Sequence, residues 1–149
     1  MPALAPALDN LTLTITQEIL VRASIERAFA SLLEQLGPAN EGINDAPMPM
    51  TLEARPGGRW FRDLGGDNGH FWGVVQAIKR PTLLEITGPL FMSAPVVSNL
   101  QYRLKEAPDG TLITLNHSAF GLFSENYREG MAHGWAAIFE RVRKQLEGK

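Results

Sequence analysis

Between residues 50 and 119 the chain is cut into short strand-like pieces by turn signals, and directly afterwards it changes to a helical repeat. The turn signals are Pro56-Gly57-Gly58, Gly65-Gly66-Asp67-Asn68-Gly69, Arg80-Pro81-Thr82 and Pro108-Asp109-Gly110. A longer break carries Pro89 and Pro95. Strands are therefore expected over 50–55, 59–64, 70–78, 83–87, 96–105 and 111–119, running as an antiparallel meander. From Ser124 onward, Tyr127, Met131, Trp135, Ile138, Phe139, Val142 and Leu146 fall on one helical face. Arg141, Arg143 and Lys144 sit in the closing turns, where the helix dipole favours cations, and Gly148 offers a stop. A helix with one apolar face must be covered, and a bent sheet is the available partner.

Upstream, residues 11–21 alternate apolar and polar side chains, the pattern of a half-buried strand. Ser24 can cap a following helix, with Glu26 in its first turn and Ile25, Phe29, Leu32, Leu33 and Leu36 at helical spacing. Gly37-Pro38 is expected to end that helix through a left-handed glycine cap. Residues 39–49 are too broken for a long element, with room for a short helical turn near 41–45. Residues 1–10, with Pro2 and Pro6, read as a flexible tail, and residues 11–149 as one domain. The expected fold is α+β: a curved antiparallel sheet of about seven strands around a long C-terminal helix, with one or two short helices after the first strand.

Several function classes are disfavoured. Fourteen basic and 16 acidic side chains give a net charge of −2, without a basic stripe, so nucleic acid is not an expected partner. Apolar runs fall far short of a membrane span, and the first ten residues lack the positive region of a secretory signal. The sequence has no cysteine, which removes disulfides and thiolate metal sites and fits a cytoplasmic protein. There is no phosphate-binding loop, dinucleotide fingerprint or nucleophile elbow. The three histidines lack helical ligand spacing. No cofactor or metal is expected. Monomer and homodimer both remain open.

Hairpin arithmetic assigns side chains to faces. Centring turns at Gly57 and Asp67 puts Leu52, Trp60, Arg62, Leu64, His70, Trp72, Val74, Gln76 and Ile78 on one face, with Arg62 opposite Trp72. Centring a turn at Asp109 puts Leu100, Tyr102, Leu104, Ile113, Leu115 and His117 together. A mostly apolar surface with a few polar groups is the composition of a ligand pocket, and a single bulge would invert part of this assignment. The candidate ligand-binding residues are Trp60, Arg62, Trp72, Gln76, Tyr102, His117, Met131 and Trp135. Arg62 either holds an acidic or aromatic ligand between indoles or extends to the rim. His117 either meets a ligand, as hydrogen-bond donor or acid–base group, or is a satisfied structural group. Met131 and Trp135 are either cavity wall or plain core. His70 and His133 are expected in solvent. Glu53 and Asp63 are expected merely to solvate the outer face. Gly130 and Gly134, one helical turn apart, suggest close approach of another backbone, from the sheet or a second subunit. The 88–95 loop, with Leu90, Phe91 and Met92, is a candidate gate or contact surface.

The order of elements and several local phrases resemble the homologues of the heat-shock-protein-90 ATPase activator, in the START/SRPBCC superfamily that includes the birch-pollen-allergen fold. The phrases are Ala23-Ser-Ile-Glu-Arg-Ala-Phe29, Pro56-Gly-Gly-Arg-Trp60, Gly73-Val-Val-Gln-Ala-Ile78 followed by Pro81, Asp109-Gly-Thr-Leu-Ile-Thr-Leu-Asn-His117, and Gly134-Trp135. The resemblance spans residues 11–147. It implies a helix-grip fold with a cavity between sheet and long helix, and together with the mixed inner face it leads to the expectation of a small-molecule binding domain for a hydrophobic, aromatic or weakly acidic ligand. Two alternatives stand beside it. One is an enzyme of the cyclase, aromatase or hydrolase kind, using Arg62, Tyr102 and His117. The other is a stress- or chaperone-related interaction module.

Overall fold

The computed structural model describes residues 8–148. The expected tail lies outside them except for a 3-10 turn at Leu8–Asn10. The elements that follow are β1 (Thr12–Val21), α1 (Ile25–Leu36), a 3-10 turn at Ile43–Asp45, β2 (Thr51–Leu52), β3 (Arg59–Gly65), β4 (Asn68–Lys79), β5 (Leu83–Gly88), β6 (Val96–Ala107), β7 (Gly110–Gly121) and α2 (Glu125–Glu147). The strands form one seven-stranded antiparallel sheet in the order β1-β7-β6-β5-β4-β3-β2. This is the helix-grip arrangement, α+β, with α2 laid against the sheet.

Local chemistry explains the helices. Ser24 Oγ accepts from the Arg27 amide at 3.3 Å, capping α1. Gly148 ends α2 in the left-handed region, its N–H donating to the Lys144 carbonyl at 2.8 Å. Gly37 differs from expectation: its φ is −105°, so it is not a left-handed cap. The following Pro38 disfavours helical backbone in the residue before it and turns Gly37 out of the helix. At the C-terminus of α1 the Gly37 and Ala39 N–H groups donate to the Glu34 carbonyl, and Trp60 Nε1 donates to the Leu36 carbonyl at 2.8 Å.

The core lies between the sheet and the two helices. Leu84, Ile86, Leu100, Tyr102, Leu104, Ile113 and Leu115 bury their side chains, as do Phe29, Leu32 and Leu36 from α1. From α2 come Met131, Trp135, Ile138, Phe139 and Val142, with Tyr127 and Leu146 partly buried against them. The hairpin of β6 and β7 keeps its expected facing, with Leu104 opposite Ile113, Tyr102 opposite Leu115 and Leu100 opposite His117.

Strand β4 departs from its expected facing at two bulges. Register shifts occur against β3 near Trp60 and Phe61, and against β5 between Val75 and Ala77. Between the bulges the inner and outer sets exchange. Val75 is buried opposite Ile86, whereas Gln76 is exposed and pairs with Thr87 through its side chain. Val74 likewise leaves the inner set and stands opposite Arg59 and Thr87. Trp72, the extra residue at the first shift, and Ile78, after the second, keep the expected face. A third shift, between Asp63 and Gly65, leaves Leu64 62% exposed rather than inside. Glu53 also does more than solvate the surface. Its carboxylate accepts from the Arg59 amide, Nε and Nη2 at 2.8, 2.9 and 3.0 Å, closing the β2–β3 hairpin. These bonds from Arg59 hold its carboxyl down at about 2.

Two glycines make opposite demands. A Cβ at Gly73, beside the first bulge, would stand 2.8 Å from Ile86 Cγ2 and 2.9 Å from the Thr87 carbonyl oxygen. A Cβ at Gly130 would meet nothing within 4 Å. Urea unfolding should therefore show Gly73→Ala destabilised by about 1–3 kcal/mol through overpacking. Gly130→Ala should be stabilised by up to about 1 kcal/mol through helix propensity. Equal effects at the two positions would refute this reading of the bulge.

Candidate functional site

A cavity of about 540 Å³ opens beside α2, within the size range of small-molecule sites. Three parts of the chain wall it. From the sheet side come His70 and Trp72 of β4, with Phe91 from the β5–β6 loop. From α2 come Met131, Trp135 and Ile138 on the apolar stripe, with His133, Gly134, Ala137 and Arg141. The irregular segment between α1 and β2 closes the outer side with Asn40, Glu41, Asp45 and Met48.

The apolar wall is built from touching rings. Trp60 and Trp72 pack edge to face with centroids 4.9 Å apart. Trp72 meets Phe91 at 6.1 Å, and Phe91 meets Tyr127 of α2 at 5.6 Å. Phe91 is brought there because its neighbours anchor the loop. Leu90 and Met92 are buried, and the Leu90 amide donates to the Trp72 carbonyl at 2.8 Å. Leu90 holds φ at 58°, a left-handed conformation that a leucine adopts only under tertiary constraint. The loop is thus fastened to β4 at Leu90, while Phe91 forms part of the wall.

The polar wall is sparser. Trp72 Nε1 donates to His70 Nδ1 at 3.1 Å, which fixes the ring and puts the proton of a neutral imidazole on Nε2. His70 is thus half-buried in the cavity rather than free in solvent. His133 is exposed, as expected, but at the cavity lip. Arg141 is half-buried and donates through Nε to Gln35 Oε1 at 3.1 Å and through Nη2 to Asn40 Oδ1 at 3.3 Å. Among the described residues no group of three or more histidine and carboxylate side chains gathers as a metal site would require.

The eight sequence-derived candidates divide by position. Trp72, Met131 and Trp135 line the cavity. Trp60 stands behind Trp72, fully buried and tied to α1. Tyr102 is fully buried against Phe139, and its hydroxyl has no hydrogen-bond partner among the described residues. Arg62 faces His70 across the hairpin rather than Trp72, and it is half-exposed outside the lining. Gln76 is carried to the outer surface by the bulges described above. His117 lies behind Trp135 in the core. Trp135 Nε1 donates to His117 Nδ1 at 3.1 Å, and His117 Nε2 lies 3.0 Å from Ser98 Oγ. The indole donor requires Nδ1 to accept, so the neutral ring carries its proton on Nε2 and donates to serine.

The sequence reading missed Arg141, Asn40 and Gly134 as cavity residues. Arg141 lies one turn beyond Ala137 and beside Ile138, so its spacing on the α2 wheel placed it at the edge of the apolar stripe. Helix-dipole reasoning absorbed that signal. Asn40 carried no signal, because the path of an irregular segment is not encoded in a period. Gly134, like Gly130, has open space where a Cβ would stand, so neither glycine serves close approach of the sheet. Its missing side chain widens the cavity instead.

A long C-terminal helix gripped by a curved antiparallel sheet, with an aromatic-walled cavity at their junction, defines a helix-grip domain. The chain belongs to the family described as activator of Hsp90 ATPase homolog 1-like protein, whose model matches residues 45–147. No curated protein matches the chain. Among solved structures, MLL2253 from Mesorhizobium loti is similar with a TM-score of 0.69 at 18% identity, over 91% of this chain and 98% of that one. A putative uncharacterized protein from Rhizobium leguminosarum has a TM-score of 0.70 at 18% identity, over 93% and 96%. The di-domain ARO/CYC StfQ from the steffimycin biosynthetic pathway has a TM-score of 0.68 at 11% identity, over 95% of this chain and 52% of that one. At these identities the likeness is one of fold.

Burial pushes the His117 imidazole down from its usual value to about 4. Because the folded value lies below the unfolded one, the unfolded chain binds a proton first as pH falls. The contribution is complete above about pH 6.5, falls between about 6.5 and 4, and changes no further below that. Its size is about 3 kcal/mol. Urea unfolding across this range should show that slope in the native chain. His117→Gln, whose amide can both accept from Trp135 and donate to Ser98, should flatten it. An unchanged slope would remove His117 as its source.

Proposed function

We propose that this chain is a cytoplasmic small-molecule binding domain whose ligand is hydrophobic, with an aromatic part. The supporting observation is the cavity's composition. Trp72, Phe91, Met131, Trp135 and Ile138 supply a continuous apolar wall, and the few polar groups, chiefly His70 and Arg141, are held by neighbouring side chains. An apolar surface with a small number of fixed polar groups orients a ligand without demanding that it be charged throughout.

A second reading, an enzyme of cyclase-like type, draws on one feature. His70 Nε2 lies on a cavity-lining ring whose orientation Trp72 fixes, so it has the placement of a general acid or base. The buried, doubly engaged His117 lacks that placement. Turnover that disappears in His70→Ala while ligand binding persists would favour this reading over simple binding.

The binding function is tested by thermal shift against aromatic acids, phenolics, sterols and fatty acids. At a hundred times Kd a native-state ligand stabilises by about 2.7 kcal/mol, a rise of several degrees for a domain of this size. Gly134→Leu should be insensitive to any ligand that stabilises the native chain, because its side chain grows into the cavity from a position with free space. Without ligand the same variant should melt higher, since leucine exceeds glycine in helix propensity by somewhat under 1 kcal/mol. Undiminished ligand stabilisation in Gly134→Leu would show that the ligand binds elsewhere.

A further inference from the structure

Arg141 is the lysine or arginine that lines the cavity, and its surroundings hold it without neutralising it. Its two partners are neutral amide oxygens, from Gln35 and Asn40. Among the described residues no carboxylate lies within ion-pair distance of it, whereas Arg59, Arg128 and Arg143 each have an acidic partner.

Both amides are themselves fixed. Gln35 is buried and donates through Nε2 to Gln145 Oε1 at 3.1 Å, an oxygen that also accepts from Ser31 Oγ at 2.6 Å. Asn40 is buried and donates through Nδ2 to the Met48 carbonyl at 3.1 Å. With each amide nitrogen committed, each amide oxygen is turned toward the guanidinium. A polar seam between α1 and α2 therefore ends in an oriented arginine whose remaining N–H donors have no partner among the described residues. A guanidinium presents five donors in a rigid fork suited to a carboxylate, and two of them are used here.

The carboxylates of the cavity, Glu41 and Asp45, sit on the outer segment, out of ion-pair distance of Arg141. They disfavour a second negative charge at the mouth.

We propose that the ligand of this cavity is an aromatic monocarboxylate whose carboxylate is bound by the Arg141 guanidinium, with its ring against Trp72, Phe91 and Trp135. This rests on the binding-domain reading above and adds the ligand's charge, its polarity within the site and the residue that selects it.

The test compares naphthalene-carboxylate with the isosteric naphthalene-carboxamide by isothermal titration at neutral pH and low salt. The native chain should prefer the acid by about tenfold or more, the effect of one hydrogen-bonded charge pair. That preference should shrink as sodium chloride is raised. In Arg141→Gln the preference should fall to within about twofold, with amide affinity retained as evidence of an intact cavity. Arg141→Lys keeps the charge without the fork and should retain part of the preference. Equal binding of acid and amide by the native chain, or an acid preference undiminished in Arg141→Gln, overturns the anion assignment and leaves the binding-domain reading standing. If neither probe binds and no member of the thermal-shift panel stabilises the chain, the binding-domain reading falls and this inference falls with it.

Discussion

A 23-residue helix with one apolar face cannot remain in water alone, and the rest of this fold follows from covering it. The five buried side chains of α2 run from Met131 to Val142. A flat sheet would meet that stripe along a narrow line. The seven strands twist, and the bulges in β4 add local bending, so the sheet wraps further around the helix. The first of these bulges depends on Gly73, which has no room for a Cβ. Helix α1 then fills the space beside α2, and Trp60 fixes its far end by capping the Leu36 carbonyl.

The buried polar groups of this fold have two characters. Around His117 the hydrogen bonds close on themselves, from Trp135 to the imidazole and from the imidazole to Ser98. Burial keeps that ring neutral near physiological pH, so it braces the core and exposes no free ring nitrogen to a ligand. Along the α1–α2 seam the bonds run outward, from Gln145 through Gln35 to Arg141, and end in a charged group at a cavity. A satisfied network specifies a packed arrangement. An oriented and unneutralised cation also provides a place for an anion. Membership of the Hsp90-ATPase-activator homologue family is compatible with either use, because a shared helix-grip scaffold fixes the cavity's location and leaves its lining free to vary.

Much of the fold was legible because its signals are local. The β6–β7 hairpin read correctly through its whole inner face, since Pro108 and Asp109 make a tight turn and no bulge follows. The α2 stripe read correctly because it depends only on a 3.6-residue period. The candidate site was legible in part. Trp72, Met131 and Trp135 lie on regular elements whose facing survived folding. Gln76 was misplaced because a bulge shifts the period by one residue and leaves no mark in composition. Arg62 was assigned to the cavity from its neighbours in one hairpin, but the shift between Asp63 and Gly65 set it opposite His70 and outside the lining.

By itself the sequence determined the order of elements, the apolar face of each helix and the antiparallel class of the sheet. These rest on short-range periodicity and turn chemistry, which act between residues a few positions apart. Tertiary structure alone decided which histidine meets the cavity, where the segment between α1 and β2 runs, and that Arg141 is held by neutral partners. Each of these depends on groups distant in the chain: Arg141 meets Gln35 and Asn40 across about a hundred residues, and His117 meets Trp135 across the sheet–helix interface. Such contacts are selected by the packing of complete elements, and no local period encodes them.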